Sequence, residues 1–160
     1  MKPSRGMLAW PMWPMGSVVV RISLLIPVFA AALAALGGDF WLRYLLLLAA
    51  LFLHELAHGV ASVGLGGPRA VISIWPWFGR ADVASGAGRR QVIVALAGPA
   101  ANLGAAAILL ALGGRFTLAL GRAGWLDFLA GINLLMGAGN LLPVRPTDGW
   151  RALRAVSWRA

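Results

Sequence analysis

The sequence predicts an all-α polytopic membrane protein with about four transmembrane helices and one short β-hairpin after the second. Hydrophobic residues occupy 60% of the 160 positions and charged residues only 12%, whereas soluble domains contain about 45–50% apolar and about 25% charged residues. Four long apolar stretches follow one another, with no long linker, internal repeat or low-complexity tail. We therefore expect a single transmembrane domain over residues 1–160.

Each apolar stretch reaches about the 20 residues with which a helix crosses a hydrocarbon core of about 30 Å. The stretches cover residues 17–36, 41–63, 91–112 and 125–142. Trp41 and Trp125 are the first residues of two of them, and tryptophan is enriched at the membrane interface. The first stretch exceeds the apolar region of about 7–15 residues in a secretion signal, so we expect it to be retained.

The segment 64–90, between the second and third stretches, is not a span. It contains the run Val71-Ile72-Ser73-Ile74 and an aromatic run at 75–78, with glycines and prolines around both. This composition predicts one or two short strands of a hairpin that lies at the membrane surface.

The net charge of +9 arises from 14 basic residues against five acidic ones. The basic residues flank apolar spans, so they indicate membrane topology and contact with anionic lipid and no nucleic acid partner. With the N-terminus in the cytoplasm, only Arg43, Arg115 and Arg122 of the 14 fall on the outer side. We therefore expect four crossings with both termini in the cytoplasm.

The second stretch contains both histidines and the single glutamate of the chain, as His54-Glu55-Leu56-Ala57-His58. His54 and His58 share one helix face, so both imidazoles can bind one metal ion. Glu55 can then take a proton from water at that metal. Each ionisable residue inside a span costs about 2.5–3.5 kcal/mol, which disfavours a polar cluster with no function.

A third metal ligand must be an aspartate, because the chain has no cysteine and no third histidine. Zinc in a catalytic site usually has three protein ligands. The predicted topology leaves two candidates, Asp82 and Asp148. Asp148 is favoured because prolines at 143 and 146 and a glycine at 149 surround it, and irregular backbone at membrane depth is tolerated where it lines a watery cavity. A surface aspartate in an ordinary interfacial turn is the alternative.

These motifs resemble those of the site-2 protease family of intramembrane zinc metalloproteases. His-Glu-x-x-His at 54–58 matches the family's first motif, and Asn140-x-x-Pro-x-x-Pro-x-Asp148-Gly149 resembles its second. Ala-Gly-Pro-x-x-Asn at 97–102 and the hairpin segment are also similar, and the likeness extends from about Leu24 to Leu153. It implies one zinc per chain, held by His54, His58 and Asp148, with Glu55 as the catalytic base.

The resemblance also implies a substrate. Family members hydrolyse a peptide bond in the transmembrane segment of a single-span protein, often a membrane-bound regulator or an anti-sigma factor, in the bacterial or archaeal cell membrane. Asn140 and Asn102 are expected to bind substrate, and the glycine-rich runs 98–104 and 131–139 to pack helices closely. No PDZ or nucleotide-sensing domain is evident, so the resemblance is to a minimal member. A separate regulatory partner and a homo-oligomer are open possibilities.

Two positions depart from the family pattern. Thr147 stands where leucine is common, and Trp150 where a second glycine is common. Trp150 is bulky and is expected to alter packing near the metal. Two other functions compete with proteolysis: a small divalent-metal transporter that uses the same His/Asp site, which leaves Glu55 without a task, and a zinc-dependent structural subunit or inactive protease.

Overall fold

The computed structural model describes residues 13–15, 17–84, 86–116 and 124–157. These residues form five helices and one four-stranded sheet. In chain order the elements are β1 (Trp13–Met15), β2 (Val18–Ile22), α1 (Leu25–Ala35), α2 (Phe40–Gly64), β3 (Ala70–Ile74), β4 (Gly79–Val83), α3 (Arg89–Ala111), α4 (Trp125–Asn140) and α5 (Asp148–Ser157).

Helices α2 and α3 are the two described helices long and apolar enough to cross a bilayer. Their 25 and 23 residues correspond to about 37 Å and about 34 Å of helix. Helix α4 has 16 residues and packs against α3, where a Cβ added to Gly137 would lie 2.8 Å from Leu103 Cγ. The glycine at 137 therefore permits the close helix packing that the sequence predicts.

The first predicted span differs from the structure. Residues 18–22 form strand β2, and helix α1 has only 11 residues, about 16 Å of helix. The prediction of one continuous helix over 17–36 is therefore wrong, and four transmembrane helices are not observed in the described residues. The run Val-Val-Val-Arg-Ile is rich in β-branched residues, which fit a pleated sheet, but hydrophobicity alone does not separate a buried strand from a helix.

The predicted hairpin is present as β3 and β4, and it belongs to a larger sheet with the order β1-β2-β3-β4. Strand β2 pairs with β3 in parallel, and the two other pairs are antiparallel. The mostly helical architecture that the sequence predicts is confirmed, whereas the hairpin is part of a four-stranded sheet that the sequence does not predict. Strand β4 lies at one edge of the sheet, so one side of its backbone has no strand partner among the described residues.

Helix α2 packs directly on the sheet. Ala70 and Ile72 of β3 are completely buried, and a Cβ added to Gly59 would lie 3.1 Å from Ile72 Cδ1. The same core contains Tyr44 and Leu48 from the preceding turns of α2. This contact fixes the half of α2 that carries both histidines against the sheet.

Basic residues collect at one end of the described helices. The end at which α2 finishes and α3 begins carries Arg69, Arg89 and Arg90, and α5 adds Arg151 and Arg154. Arg43 and Arg115 belong to the opposite end. Four residues used in the topology argument, Lys2, Arg5, Arg122 and Arg159, lie outside the described residues.

Candidate metal centre

The two histidines of α2 and the first residue of α5 meet between the helices. His54 Nε2 lies 3.0 Å and His58 Nε2 3.1 Å from the same atom, Asp148 Oδ2. All three side chains are buried, with exposures of 4%, 2% and 6%, and their candidate ligand atoms lie within 4.8 Å of one another. The structure thus brings together the three residues that the sequence singles out as metal ligands.

A chain of amides fixes the orientation of His54. Asn102 Nδ2 donates to the carbonyl of Ala50 at 3.1 Å and to Asn133 Oδ1 at 2.7 Å. Its Oδ1 is therefore the acceptor that faces His54 Nδ1 at 2.6 Å, so Nδ1 carries the proton. In the neutral ring, the lone pair of Nε2 then points at Asp148.

His58 is fixed in the same way by the backbone. Its Nδ1 donates to the carbonyl of Val94 in α3 at 2.7 Å. The Nε2 lone pairs of both neutral rings and a carboxylate oxygen therefore converge on one point. A divalent cation satisfies three such acceptors, and two imidazoles with one carboxylate are a donor set of catalytic zinc that leaves a coordination position open.

A glycine of α3 keeps one side of this centre clear. A Cβ added to Gly98 would lie 2.5 Å from His58 Nε2 and 2.7 Å from His54 Nε2. The sequence predicts that the glycine-rich run 98–104 packs helices closely. Gly98 has a second role that this prediction does not include. The residue also leaves room beside both ligand nitrogens for an ion.

The turn before α5 places the Asp148 carboxylate. Thr147 Oγ1 accepts the backbone N–H of Trp150 at 3.4 Å and donates to the carbonyls of Leu142 and Val144. A Cβ on Gly149 would collide with the carbonyl oxygen of Leu141, so this position requires glycine. The threonine that departs from the family pattern thus caps the helix that presents the third ligand.

Arg151 binds the other oxygen of the same carboxylate. Its Nη1 donates to Asp148 Oδ1 at 2.9 Å, which leaves Oδ2 for the two histidines. The Arg151 guanidinium beside it favours the ionised form of the Asp148 carboxyl, which is the form that binds a metal.

Glu55 lies on the wall of a cavity of about 730 Å³ that the ligands also line. Strand β4 also lines this cavity, directly beside Glu55, because a Cβ on Gly79 would approach Glu55 Cγ to 2.7 Å. Asn140 lines this cavity and donates to the carbonyl of Met136 at 2.9 Å. The expected base and one expected substrate-binding residue therefore share a space with the metal ligands.

Two residues that the sequence suggests for the site, Asn102 and Asp82, do not lie where those roles require. Asn102 has no exposed surface and lies behind His54, away from the cavity wall, so its geometry is that of a ring-positioning residue and does not support substrate contact. Asp82, the competing third ligand, lines the cavity and pairs with Arg80 at 2.8 Å, outside the metal-binding group.

Trp150 does not line the metal cavity. The Arg145 guanidinium lies 5.4 Å from the centroid of its ring, and the effect of Trp150 on packing near the metal stays a prediction. Sequence reasoning missed Arg151 and Gly98. Arg151 follows Asp148 at the i,i+3 spacing of a helical ion pair, which is a readable signal, whereas the contact of Gly98 depends on how α3 crosses α2.

Comparisons with known proteins agree with this site. The chain is 39% identical over 123 residues to "Putative zinc metalloprotease Rip3" of Mycobacterium tuberculosis, covering 71% of this chain and 30% of that protein. It is 30% identical over 118 residues to zinc metalloprotease MJ0392 of Methanocaldococcus jannaschii, covering 73% and 35% of the two chains. The chain thus spans about a third of the length of these curated relatives. No family model matches it.

The fold agrees as well. A solved structure of the site-2 protease from Methanocaldococcus jannaschii superposes with a TM-score of 0.70, covering 94% of this chain and 72% of that one at 24% identity. The fold and the donor set are those of a mostly helical protein with two helices long enough to cross a membrane and a His/His/Asp group able to bind a metal ion. The chain is similar in sequence to curated zinc metalloproteases and similar in fold to a site-2 protease.

Proposed function

We propose that this chain hydrolyses a peptide bond in the transmembrane segment of a single-span membrane protein. The observation that carries the proposal is the convergence of His54, His58 and Asp148 on a cavity that Glu55 also lines. Bound zinc supplies a Lewis acid that polarises a carbonyl and lowers the pKa of water. The chain's own residues bind that ion and transfer the proton.

Glu55 is the proposed general base. Its position on the cavity wall allows it to take a proton from the attacking water and deliver it to the leaving amine. The Nδ1 protons of His54 and His58 are hydrogen-bonded to Asn102 Oδ1 and to the carbonyl of Val94. Neither ring therefore competes for the water proton while its Nε2 binds the metal.

Strand β4 is the proposed guide for the substrate. A helix pairs its own backbone groups, so the target segment must unwind before its carbonyl can be attacked. The edge strand β4 forms one wall of the metal cavity, and an unwound segment can pair with such an edge by strand addition. Asn140 on the same cavity is placed to bind a substrate carbonyl.

The same proposal covers the membrane arrangement and the class of substrate. Four crossings with both termini in the cytoplasm are part of this proposal, and the clustering of arginines where α2 ends supports the orientation. Membrane-bound regulators and anti-sigma factors of a bacterial or archaeal cell are the proposed substrates within this class.

Replacement of Glu55 by glutamine tests the chemistry. We expect cleavage of a single-span model substrate in detergent to fall by about 100-fold or more, since a positioned base contributes about that factor. Zinc content stays at the wild-type value because Glu55 is outside the ligand group. Asp127→Asn, the same chemical change at the start of α4, is the matched control and retains activity.

Full cleavage by Glu55→Gln would remove Glu55 as the base. Metal uptake into sealed vesicles by wild-type protein, without cleavage of any single-span substrate, would favour the transporter instead.

A further inference from the structure

Glu55 packs against the first residue of the edge strand β4. A Cβ added to Gly79 would lie 2.7 Å from Glu55 Cγ, 3.1 Å from Glu55 Oε1 and 3.1 Å from Leu51 Cγ, and all three residues line the metal cavity. We propose that Gly79 is a positioning residue for the catalytic base, because its missing side chain leaves the room in which the Glu55 carboxylate lies. This inference rests on the proposed function, in which Glu55 is that base.

The backbone of β4 does not itself require a glycine at position 79. Gly79 has no positive φ, so its backbone conformation is open to residues that carry a Cβ. Glycine in a strand weakens the strand, because it has no side chain to pack and loses more conformational entropy on folding. The absence of a side chain at Gly79 therefore has a use outside the strand, and Glu55 occupies the space that it leaves.

A second group of the same strand acts on Glu55. The backbone N–H of Ala81 faces the Glu55 carboxylate, and a backbone donor to a carboxylate makes a charge-assisted hydrogen bond that orients it. Residues two apart in a strand project to the same face, and Ala81 packs against the core that α2 forms with the sheet. Gly79 thus gives the glutamate stem its room and Ala81 directs its end, so β4 positions the base as well as guiding the substrate.

The distance determines the size of the expected effect. Carbon atoms in contact are about 3.5–4.0 Å apart, so a methyl group at position 79 displaces Glu55 Cγ by about 1 Å. The glutamate stem can rotate away without unfolding the strand, and a misplacement of about 1 Å costs up to about 100-fold in rate. We expect Gly79→Ala to lower kcat by about 10- to 100-fold. KM and zinc content stay near the wild-type values, because the methyl group projects from the sheet face whereas substrate pairs at the strand edge.

A double-mutant cycle separates base positioning from damage to the strand. Glu55→Gln has already lost the base, so adding Gly79→Ala should change its residual cleavage by less than about twofold. A further loss of about 10-fold in that background would overturn the proposal, because the methyl group would then act on the substrate or the strand. A wild-type kcat in Gly79→Ala would overturn it as well. Gly64→Ala, at the end of α2, is the matched control and keeps its kcat, since an added Cβ there has nothing within 4 Å.

Cysteine crosslinking tests the contact without any cleavage, in a chain that has no native cysteine. A disulfide needs two Cβ atoms about 3.5–4.5 Å apart, and a Cβ at position 79 already lies 2.7 Å from the atom that follows Glu55 Cβ. We expect Glu55→Cys/Gly79→Cys to form an intramolecular disulfide in the full chain in detergent under mild oxidation. Leu53→Cys/Gly79→Cys should form none, because residues two apart on a helix do not share a face. Thiol alkylation followed by mass spectrometry measures both.

The crosslink and the kinetics distinguish a failure of this inference from a failure of the proposed function. No disulfide in Glu55→Cys/Gly79→Cys, or equal amounts in both cysteine pairs, would overturn the contact and with it the positioning role of Gly79. The role of Glu55 as the base would still stand on the Glu55→Gln experiment. A disulfide together with full cleavage by Glu55→Gln would show that the contact exists but holds no base, so the proposed function would have failed and the positioning role with it.

Discussion

Gly98 lies directly against the ligand nitrogens, because a Cβ added there would be 2.5 Å from His58 Nε2. We expect Gly98→Ala to lower zinc affinity by at least about 10- to 100-fold, the range found when the surroundings of a metal ligand are disturbed. Zinc content after dialysis against a metal buffer measures this. Gly104→Ala is the matched control, since an added Cβ there has nothing within 4 Å.

Wild-type zinc affinity in Gly98→Ala would mean that the ion lies away from α3, and that His54 and His58 face it from another side. A loss of similar size in Gly104→Ala would instead indicate a general intolerance of α3 to substitution. The pair therefore separates a local steric effect from a folding defect.

Asn102 and Asn140 distinguish a positioning role from a substrate role. Asn102→Ala removes the acceptor of His54 Nδ1, so we expect zinc affinity to fall by about 10- to 100-fold. Asn140→Ala removes only a contact to the carbonyl of Met136 in the same helix. It should keep wild-type zinc affinity and raise KM for a model substrate, because its side chain lines the cavity.

Competition with a fluorescent zinc chelator and steady-state kinetics measure the two effects. Unchanged zinc affinity in Asn102→Ala would contradict the positioning role. Reduced zinc affinity in Asn140→Ala would place that residue beside the ion.

The cap of α5 links an element to the site. Thr147 Oγ1 accepts the N–H of Trp150 and donates to two carbonyls of the preceding turn. We expect Thr147→Val to reduce the free energy of unfolding by about 1 kcal/mol, the usual cost of a lost N-cap. Thr147→Ser keeps the hydroxyl and should lose much less. Denaturant unfolding of both variants in detergent is the measurement, and equal stabilities would show that the cap does not hold Asp148 in place.

At the level of elements, the sequence predicted what depends on local spacing and missed what depends on tertiary pairing. His54 and His58 follow from one helical repeat, and the prolines near Asp148 predicted the irregular turn correctly. Strand β2 was predicted as helix because an apolar run of five residues has no distinguishing period. Its parallel partner β3 lies some 50 residues later in the chain, which no local pattern encodes.

At the site, Asn102 and Arg151 show the same difference between contacts set by local spacing and contacts set by tertiary packing. Asn102 was assigned to substrate by resemblance, yet its position behind His54 depends on how α3 packs between α2 and α4. Arg151 stands three residues after Asp148 on α5, a spacing that indicates a helical ion pair from the sequence alone. Residue identity indicated the chemistry of the donor set, and only the helix packing assigns the surrounding contacts.

On the scale of the whole molecule, the metal centre joins elements distant in sequence, since Asp148 meets His54 and His58 across 94 and 90 residues. An ion there stabilises the folded state by mass action, by about 2.7 kcal/mol when free zinc is 100 times its Kd. For a chain of this size we expect chelation to lower the Tm by about 5–10 °C. Differential scanning fluorimetry with and without a chelator measures the shift.

Two variants test which carboxylate binds the ion that joins these elements. Asp148→Ala should lose most of the shift caused by the chelator, because the third ligand is gone. Asp82→Ala removes the other aspartate on the cavity wall, which pairs with Arg80, and should respond to the chelator as wild type does. The reverse pattern would mean that the ion is bound through the 64–90 segment, and that α5 reaches the cavity without holding metal.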